Sequence, residues 1–214
     1  MKTPKVPVAK EGVPFIAFTA LISLIFAILG FVLVSLACLT LTAFVLYFFR
    51  DPERVASDDG DALISPADGK IILIEKVFDE RYVKEHVYKI SIFMNIFNVH
   101  VNRVPFPGKV SKVIYTPGTF YSANTDRSSL GNESCAVLFE AAGGKKLAVV
   151  QIAGLIARRI VCWASAGDEF QKGERFGLIR FGSRVDLYLP PQTQIEVSKG
   201  QKVRAGETIL GYLS

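Results

Sequence analysis

Three segments of the chain carry side chains that could transfer an acyl group or a proton. They are the Gly182-Ser183 pair, His100 within a run of apolar residues, and Asp68 in the turn Ser65-Pro-Ala-Asp-Gly. Taken singly, each has an ordinary structural explanation, because Gly-Ser pairs and Asp-Gly pairs are common in turns. Ser183 lies outside any Gly-x-Ser-x-Gly pattern, which disfavours a hydrolase nucleophile. The chemistry therefore depends on whether the fold brings these segments together.

The elements that would position these side chains are predicted to be β-strands. Apolar and polar residues alternate with period two, and Gly-containing turn pairs separate the alternating runs. The clearest predicted strands are residues 70–77, 88–94, 146–152, 175–181 and 185–189. We expect a compact, mainly antiparallel β domain, sandwich or barrel-like, in which residues 195–211 form half of a lipoyl or biotinyl-like barrel.

The N-terminal quarter of the 214-residue chain differs in kind. No charged residue occurs from Gly12 to Phe49, a run of about 57 Å if helical, against about 30 Å of bilayer hydrocarbon. Gly30 near its middle favours a hairpin of two helices, residues 14–29 and 31–49, although a single span stays open. Such a run is too long for a cleaved signal peptide. We expect residues 1–50 to be a membrane anchor and residues 51–214 a catalytic domain.

Charge and cysteine content limit the partners. The first fifty residues carry a net charge of +3, and basic residues flank the apolar run at both ends. The positive-inside tendency then orients residues 51–214 toward the cytoplasm, at the cell membrane. The remaining chain is nearly balanced, at +2, which excludes the basic face of a nucleic-acid-binding domain. Cys38, Cys135 and Cys162 show neither disulfide-framework nor zinc-site spacing.

Four segments in a fixed order resemble the phosphatidylserine decarboxylase family in its short bacterial or archaeal form. They are Ser65-Pro-Ala-Asp-Gly, Asn98-Val-His-Val-Asn-Arg-Val-Pro-Phe, Gln151-Ile-Ala-Gly-Leu-Ile-Ala-Arg-Arg-Ile and Phe181-Gly-Ser-Arg-Val-Asp-Leu-Tyr-Leu-Pro. The likeness covers roughly residues 50–214, whereas the anchor matches only in kind.

The resemblance implies that Ser183 is both the nucleophile of self-cleavage and the precursor of a covalent pyruvoyl cofactor. The serine hydroxyl attacks the carbonyl of Gly182, and elimination from the resulting ester releases the chain that ends at Gly182. By the same resemblance His100 is the base and Asp68 its partner. Longer members carry a second histidine three residues after the first, where this chain has Arg103, so His100 must serve both self-cleavage and decarboxylation or another group takes one task.

The resemblance further implies that the mature enzyme decarboxylates phosphatidylserine to phosphatidylethanolamine. Its partners are then the phospholipid substrate, the membrane and its own cleaved small chain, and a homodimer stays open. Arg158 and Arg159 are candidates for holding the lipid phosphate, since guanidinium matches phosphate geometry. An apolar lip near the site is a further candidate, although strand alternation favours core packing for at least two of its members, Phe93, Met94, Ile96 and Phe97.

Other functions compete with this one. Archaetidylserine shares the headgroup, so the sequence leaves open which lipid is used. A non-enzymatic, membrane-tethered β module is a second class of function, and it requires the purified chain to stay whole at 23.5 kDa. A lysostaphin-like zinc peptidase is disfavoured because the chain has only His86 and His100 as histidine ligands.

Overall fold

A computed structural model describes residues 7–119, 121, 131–154, 159–180 and 182–213. The chain divides into two compact units, Met1–Glu53 and Arg54–Ser214. The first is helical and the second is built almost wholly from strands. Candidate site residues all belong to the second unit, which is therefore described in more detail.

The first unit contains two apolar helices, α1 (Val13–Ile28) and α2 (Val32–Phe48). Gly30 lies between them with φ of 78°, a left-handed conformation that glycine adopts without strain. The 19 residues of Lys10–Ile28, a short 3-10 turn followed by α1, have a mean hydropathy of 2.0. By length and composition this one helix could cross a membrane, whereas α2 has only 17 residues.

Two serines join these helices. The Ser23 hydroxyl donates to the Ser35 carbonyl and the Ser35 hydroxyl donates to the Ser23 carbonyl, each at 3.0 Å. In an apolar environment a polar group is costly unless it is hydrogen-bonded. The reciprocal bonds satisfy both hydroxyls and fix the register of the helix pair.

The second unit contains fourteen strands within its described residues. They are β1 (Ala62–Ile64), β2 (Gly69–Phe78), β3 (His86–Met94), β4 (Val101–Arg103), β5 (Gly108–Thr116), β6 (Ser134–Glu140), β7 (Lys146–Ala153), β8 (Ile160–Cys162), β9 (Glu169–Phe170), β10 (Arg175–Ile179), β11 (Ser183–Leu189), β12 (Gln194–Ile195), β13 (Lys202–Val203) and β14 (Ile209–Tyr212). A second 3-10 turn, Ala142–Gly144, joins β6 to β7.

All strand pairs are antiparallel. One sheet has eight strands in the order β13-β2-β3-β11-β7-β6-β5-β9, and two smaller sheets have the orders β4-β10-β8 and β1-β14-β12. The prediction of a mainly antiparallel β domain is thus confirmed. The sheets close no barrel within the described ranges, because the C-terminal strands separate: β13 joins β2, whereas β12 and β14 join β1.

The main core lies between the eight-stranded sheet and the two small sheets. Alternate residues of β3, β7 and β11 point into it, as period-two alternation requires. The large contributors include Ile90, Ile92, Val149, Val185, Leu187, Phe139 and Phe176, all at most 1% exposed. A second, smaller cluster packs on the opposite face of the large sheet around Val150, Ile152 and Tyr188.

Three chain connections run between the eight-stranded sheet and the β4-β10-β8 sheet at one end of the unit. They join β3 to β4, β7 to β8 and β10 to β11. Their closeness follows from the pairing. Ser183 pairs with Met94 and Ala153, which end β3 and β7, and the Ile179 amide donates to the His100 carbonyl in the facing sheet. The segments singled out by sequence meet at this end.

Candidate active site

Ser183 begins β11, the strand between β3 and β7, and is fully buried. Its hydroxyl lies 3.5 Å from the sulfur of Met94, the residue opposite it on β3. A thioether is a weak hydrogen-bond acceptor. The Ser183 hydroxyl is therefore shielded from water, and its weak hydrogen bond to the thioether is easily replaced by one to a better acceptor.

Gly182 precedes this serine with φ of 61°. Among the residues that the structure describes, none lies within 4 Å of a Cβ added at Gly182, so glycine is favoured by the left-handed backbone and not by crowding from them. The residue before Ser183 is therefore one whose backbone conformation suits glycine.

His100 lies just before β4 and is 2% exposed. Its Nδ1 is 2.9 Å from the carbonyl oxygen of Asn98. Because a carbonyl can only accept, Nδ1 carries the proton in the neutral ring, and Nε2 carries the lone pair. The backbone of the β3–β4 connection therefore fixes the tautomer that a general base at Nε2 requires.

A buried polar chain connects the two sheets beside Ser183. The amide of Gln151 donates to Asn102 at 2.9 Å, and the amide nitrogen of Asn102 lies 3.8 Å from the same Met94 sulfur that Ser183 contacts. All four side chains are fully buried. Since His100 is two residues from Asn102 along an extended chain, it is expected on the same side, facing β3 and β11.

Sequence reasoning missed Asn102 and Gln151 as site residues. Asn102 is predicted only as part of the histidine segment, and Gln151 is a single polar residue within an otherwise apolar strand. A fully buried amide must find partners, so a lone Gln in a run such as Val149-Val-Gln-Ile-Ala is the signal that could have identified it.

Asp68 occupies the turn before β2. Its carboxylate accepts from Arg54 Nη2 at 3.2 and 3.4 Å and from the Ala205 amide at 2.8 Å. Gly69, the next residue, is packed against β3, so Asp68 lies about two strand spacings, roughly 10 Å, from the start of β11. The predicted pairing of Asp68 with His100 stays a prediction.

Arg54 links Asp68 to a second carboxylate. Its Nη1 lies 3.1 Å from Glu207, and its side chain is only 10% exposed. The guanidinium thus gives the Asp68 carboxylate a fixed positive partner, which a charged group with little access to solvent requires. Arg54 precedes every motif in the sequence analysis, and sequence reasoning missed it as a site residue.

Arg103, where longer family members carry the second histidine, is 4% exposed and donates to the Gly173 carbonyl at 2.9 Å. It lies next to Asn102 on β4 and so projects to the opposite side from the Asn102 amide. The Arg103 amide also donates to the Pro66 carbonyl. In this structure the arginine joins the Asp68 turn to the small sheet.

One of the two predicted phosphate ligands lies within the described residues. Arg158 lies outside the described residues, whereas Arg159 is exposed just before β8. The Arg159 carbonyl accepts from the Arg180 amide at 3.2 Å, so a second arginine stands beside it, three residues before Ser183. Arg180 was missed by sequence reasoning, although its nearness to the Gly182-Ser183 pair was visible.

Comparison with known proteins decides the family. A family model for phosphatidylserine decarboxylase matches residues 41–211. The chain belongs to the phosphatidylserine decarboxylase family. It is 59% identical over 213 residues to the phosphatidylserine decarboxylase proenzyme of Desulfotalea psychrophila and 51% identical over 213 residues to that of Syntrophotalea carbinolica. In both comparisons the alignment covers 100% of each chain.

Membership of the phosphatidylserine decarboxylase family makes the chain an enzyme, and both relatives are named proenzymes. The family assignment confirms the sequence resemblance over the second unit. It also extends through the first unit, because the two relatives align over their whole length.

Two cysteines, Cys135 and Cys162, lie beside the buried chain of polar side chains that includes Gln151. Cys135 pairs with Gln151 across β6 and β7, and Cys162 pairs with Gly177, whose added Cβ would lie 2.9 Å from the Gln151 amide. A hydrogen bond from Cys135 lowers the pKa of the Cys162 thiol below its usual range, and the same contact together with burial raises the pKa of Cys135.

Proposed function

We propose that this chain is a pyruvoyl-dependent phosphatidylserine decarboxylase that cuts itself between Gly182 and Ser183. The observation that carries the proposal is the position of Ser183, buried at a strand start directly after a left-handed glycine, with its hydroxyl on the same Met94 sulfur as Asn102 of the His100 segment. The names of the relatives supply the substrate, phosphatidylserine.

Self-cleavage follows from these groups. Nε2 of His100 takes the hydroxyl proton, the Ser183 oxygen attacks the Gly182 carbonyl carbon, and the peptide nitrogen leaves as the amine of an ester intermediate. Loss of the α-proton and of the Gly182 carboxylate from the β-carbon leaves a dehydroalanine, which water converts to the pyruvoyl ketone and ammonia. No residue of the described ranges lies within 4 Å of a Cβ added at Gly182, which is consistent with room for the backbone to rearrange at this glycine.

The residues around Ser183 fit a pyruvoyl group. The serine hydroxyl contacts the Met94 sulfur, and no described residue lies within 4 Å of a Cβ added at the preceding Gly182. Once formed, the ketone supplies an electron sink for the electrons released when carbon dioxide leaves the serine headgroup. His100, held by Asn98, is the proton donor to the α-carbon in this proposal.

Two further groups complete the proposal. Arg158 and Arg159 bind the lipid phosphate, supported for Arg159 by its exposure next to the Arg180 backbone. Asp68 keeps the role implied by the family resemblance, and its contacts with Arg54 and the Ala205 amide hold the carboxylate in place. Asn98 shares the orienting task, since its carbonyl contacts the histidine directly.

The membrane assignment is part of the proposal. The 19-residue apolar helix is long enough to cross a bilayer, and the proposed substrate is a bilayer lipid. We propose that the first unit anchors the enzyme in the cytoplasmic membrane, with the catalytic unit on the cytoplasmic side, as the flanking basic residues favour.

Replacement of Ser183 tests the proposal. We expect Ser183→Ala to remain at full length and to release no carbon dioxide from phosphatidylserine in mixed micelles. Ser198→Ala, which changes an exposed serine of the same C-terminal segment, should be processed and active like the unmodified chain. A processed or active Ser183→Ala chain would refute the cofactor assignment.

A further inference from the structure

The first part of the connection between β3 and β4, residues 95–98, presents an aromatic side chain to the outside at the active-site end. Phe97 is 59% exposed, whereas Met94, three residues earlier, is fully buried. The segment Asn95-Ile-Phe-Asn carries no charge. Of the predicted apolar lip, Met94 thus belongs to the core and Phe97 stands outside it.

Side-chain hydrogen bonds brace this loop. The Asn95 amide donates to the Asn98 side chain and the Phe97 amide donates to the Asn95 side chain, each at 2.9 Å, while the Asn98 amide donates to the Asn95 carbonyl at 3.1 Å. These bonds hold the backbone from which Phe97 projects. A preformed anchor loses little conformational freedom on binding.

The position of the loop relates it to the reaction. It begins next to Met94, which contacts Ser183, and it ends at Asn98, which holds His100. A second exposed aromatic, Tyr121 at 43%, lies at the same end, because Asn132 bonds both the Tyr121 backbone and the carbonyl of Ala153, the β7 partner of Ser183.

The chemistry of this end favours a lipid surface as the partner. Phe and Tyr side chains concentrate where hydrocarbon meets headgroups, and the exposed Arg159 just before β8 suits lipid phosphates. We propose that Phe97 inserts among the acyl chains of the bilayer and seats the active-site end on the membrane. The proposal rests on the proposed lipid decarboxylation, which requires this end to meet the bilayer.

A tryptophan probe tests the insertion. The full chain carrying Phe97→Trp is reconstituted in phosphatidylserine and phosphatidylcholine vesicles whose acyl chains are brominated at defined carbons, and fluorescence quenching is measured. Phe78→Trp is the matched control. Phe78 is similarly exposed, at 55%, but it pairs with His86 at the other end of β3, about 27 Å from Met94 along the strand. The native Trp163 is common to both variants.

We expect bromines near the top of the acyl chains to quench the probe of Phe97→Trp strongly, at a depth of about 5–10 Å into the boundary region, and the probe of Phe78→Trp little. Equal quenching of the two variants, or no quenching of the probe in Phe97→Trp, would overturn the proposal. Self-cleavage of each variant, read by gel, reports that the unit is folded.

A kinetic variant separates this proposal from the proposed function. Phe97→Asp should raise the KM for phosphatidylserine in vesicles by about tenfold, as expected from losing the burial of one aromatic side chain, whereas Phe78→Asp should not. If neither Phe97→Asp nor Phe78→Asp decarboxylates the lipid while the probe of Phe97→Trp is still quenched, the proposed function fails and the membrane contact stands. If decarboxylation is normal and the Phe97→Asp KM is unchanged, the membrane contact fails alone.

Discussion

At the scale of single residues, the environment of Ser183 is unusual for a hydroxyl. It is fully buried, yet its close contact is a thioether and not a strong acceptor. Buried polar groups usually have full hydrogen bonds, and departures concentrate at functional sites. The His100 ring, in contrast, has a strong acceptor at Nδ1, the Asn98 carbonyl, and this contact fixes its tautomer. Together these features favour proton transfer to Nε2.

The histidine assignment gives the first residue-level test. His100→Ala should slow self-cleavage by about 100-fold or more, the usual contribution of a positioned general base. His86→Ala is the control, since His86 is exposed at the far end of β3. Processing is followed on a gel after synthesis in a cell-free system. Normal cleavage and normal decarboxylation of His100→Ala would remove this residue from the mechanism.

The thiol pair gives a pH-dependent test. Because Cys135 stabilises the Cys162 thiolate, the pKa of Cys162 lies below that of an ordinary thiol, and alkylation should begin at lower pH. Iodoacetamide labelling of the folded chain, mapped by peptide mass spectrometry from about pH 6 to about pH 9, should modify Cys162 first. Cys135→Ala should shift the labelling curve of Cys162 to higher pH. Labelling of Cys162 with an unshifted curve in that variant would contradict the hydrogen bond.

At the scale of elements, the site depends on three connections that meet at one end of two sheets. The connection from β10 to β11 must deliver a serine to the first residue of a central strand of the eight-stranded sheet. Its last residue, Gly182, has φ of 61°, a conformation that glycine adopts without strain.

Replacing this glycine separates backbone strain from crowding. An alanine at position 182 would meet none of the described residues, so we expect Gly182→Ala to lower the free energy of unfolding by only about 1–2 kcal/mol, the cost of left-handed backbone. Stability is measured by urea unfolding in an uncut Ser183→Ala chain. Gly143→Ala is the matched control, because Gly143 has φ of 73° and an added Cβ there likewise meets none of the described residues.

The two glycine variants should differ in processing. In the chain that retains Ser183, Gly182→Ala should slow self-cleavage, whereas Gly143→Ala, in the turn between β6 and β7, should leave its rate unchanged. A cleavage rate for Gly182→Ala equal to that of Gly143→Ala would show that the turn conformation does not contribute to the reaction.

Local patterns allowed the strands to be predicted, but not their partners. The predicted strands 70–77, 88–94 and 146–152 correspond to β2, β3 and β7 within two residues at each end, because alternation is a local property. The predicted strand 175–181 corresponds in the same way to β10, which ends at Ile179. Contacts such as Gln151 to Asn102 or Arg54 to Asp68 join distant segments, and no local pattern encodes them.

At the scale of the whole molecule, the proposed cut falls within the second unit, between β10 and β11. Residues 183–214 supply β11, β12, β13 and β14, and β11 is hydrogen-bonded to β3 on one side and β7 on the other. Arg184 and Asp186 form a buried ion pair that also involves Ser91 on β3. The small fragment is thus part of the core of the sheet.

We therefore expect the two fragments to remain associated after cleavage. They should elute together in size-exclusion chromatography in mild detergent and separate only in strong denaturant. Arg184→Leu removes the closer of the two cations beside the buried Asp186, the other being Lys89. It should lower the denaturant concentration at which the fragments separate, because breaking a buried ion pair costs about 3–5 kcal/mol. Release of the small fragment under native conditions would contradict this architecture.

The most direct measurement of the central claim is intact mass spectrometry of the purified full chain. The account predicts two species, one ending at Gly182 and one of 32 residues beginning at position 183, the latter lighter by one ammonia than a fragment with an N-terminal serine. A single species at the 23.5 kDa of the uncut chain, in a preparation that decarboxylates phosphatidylserine, would contradict it.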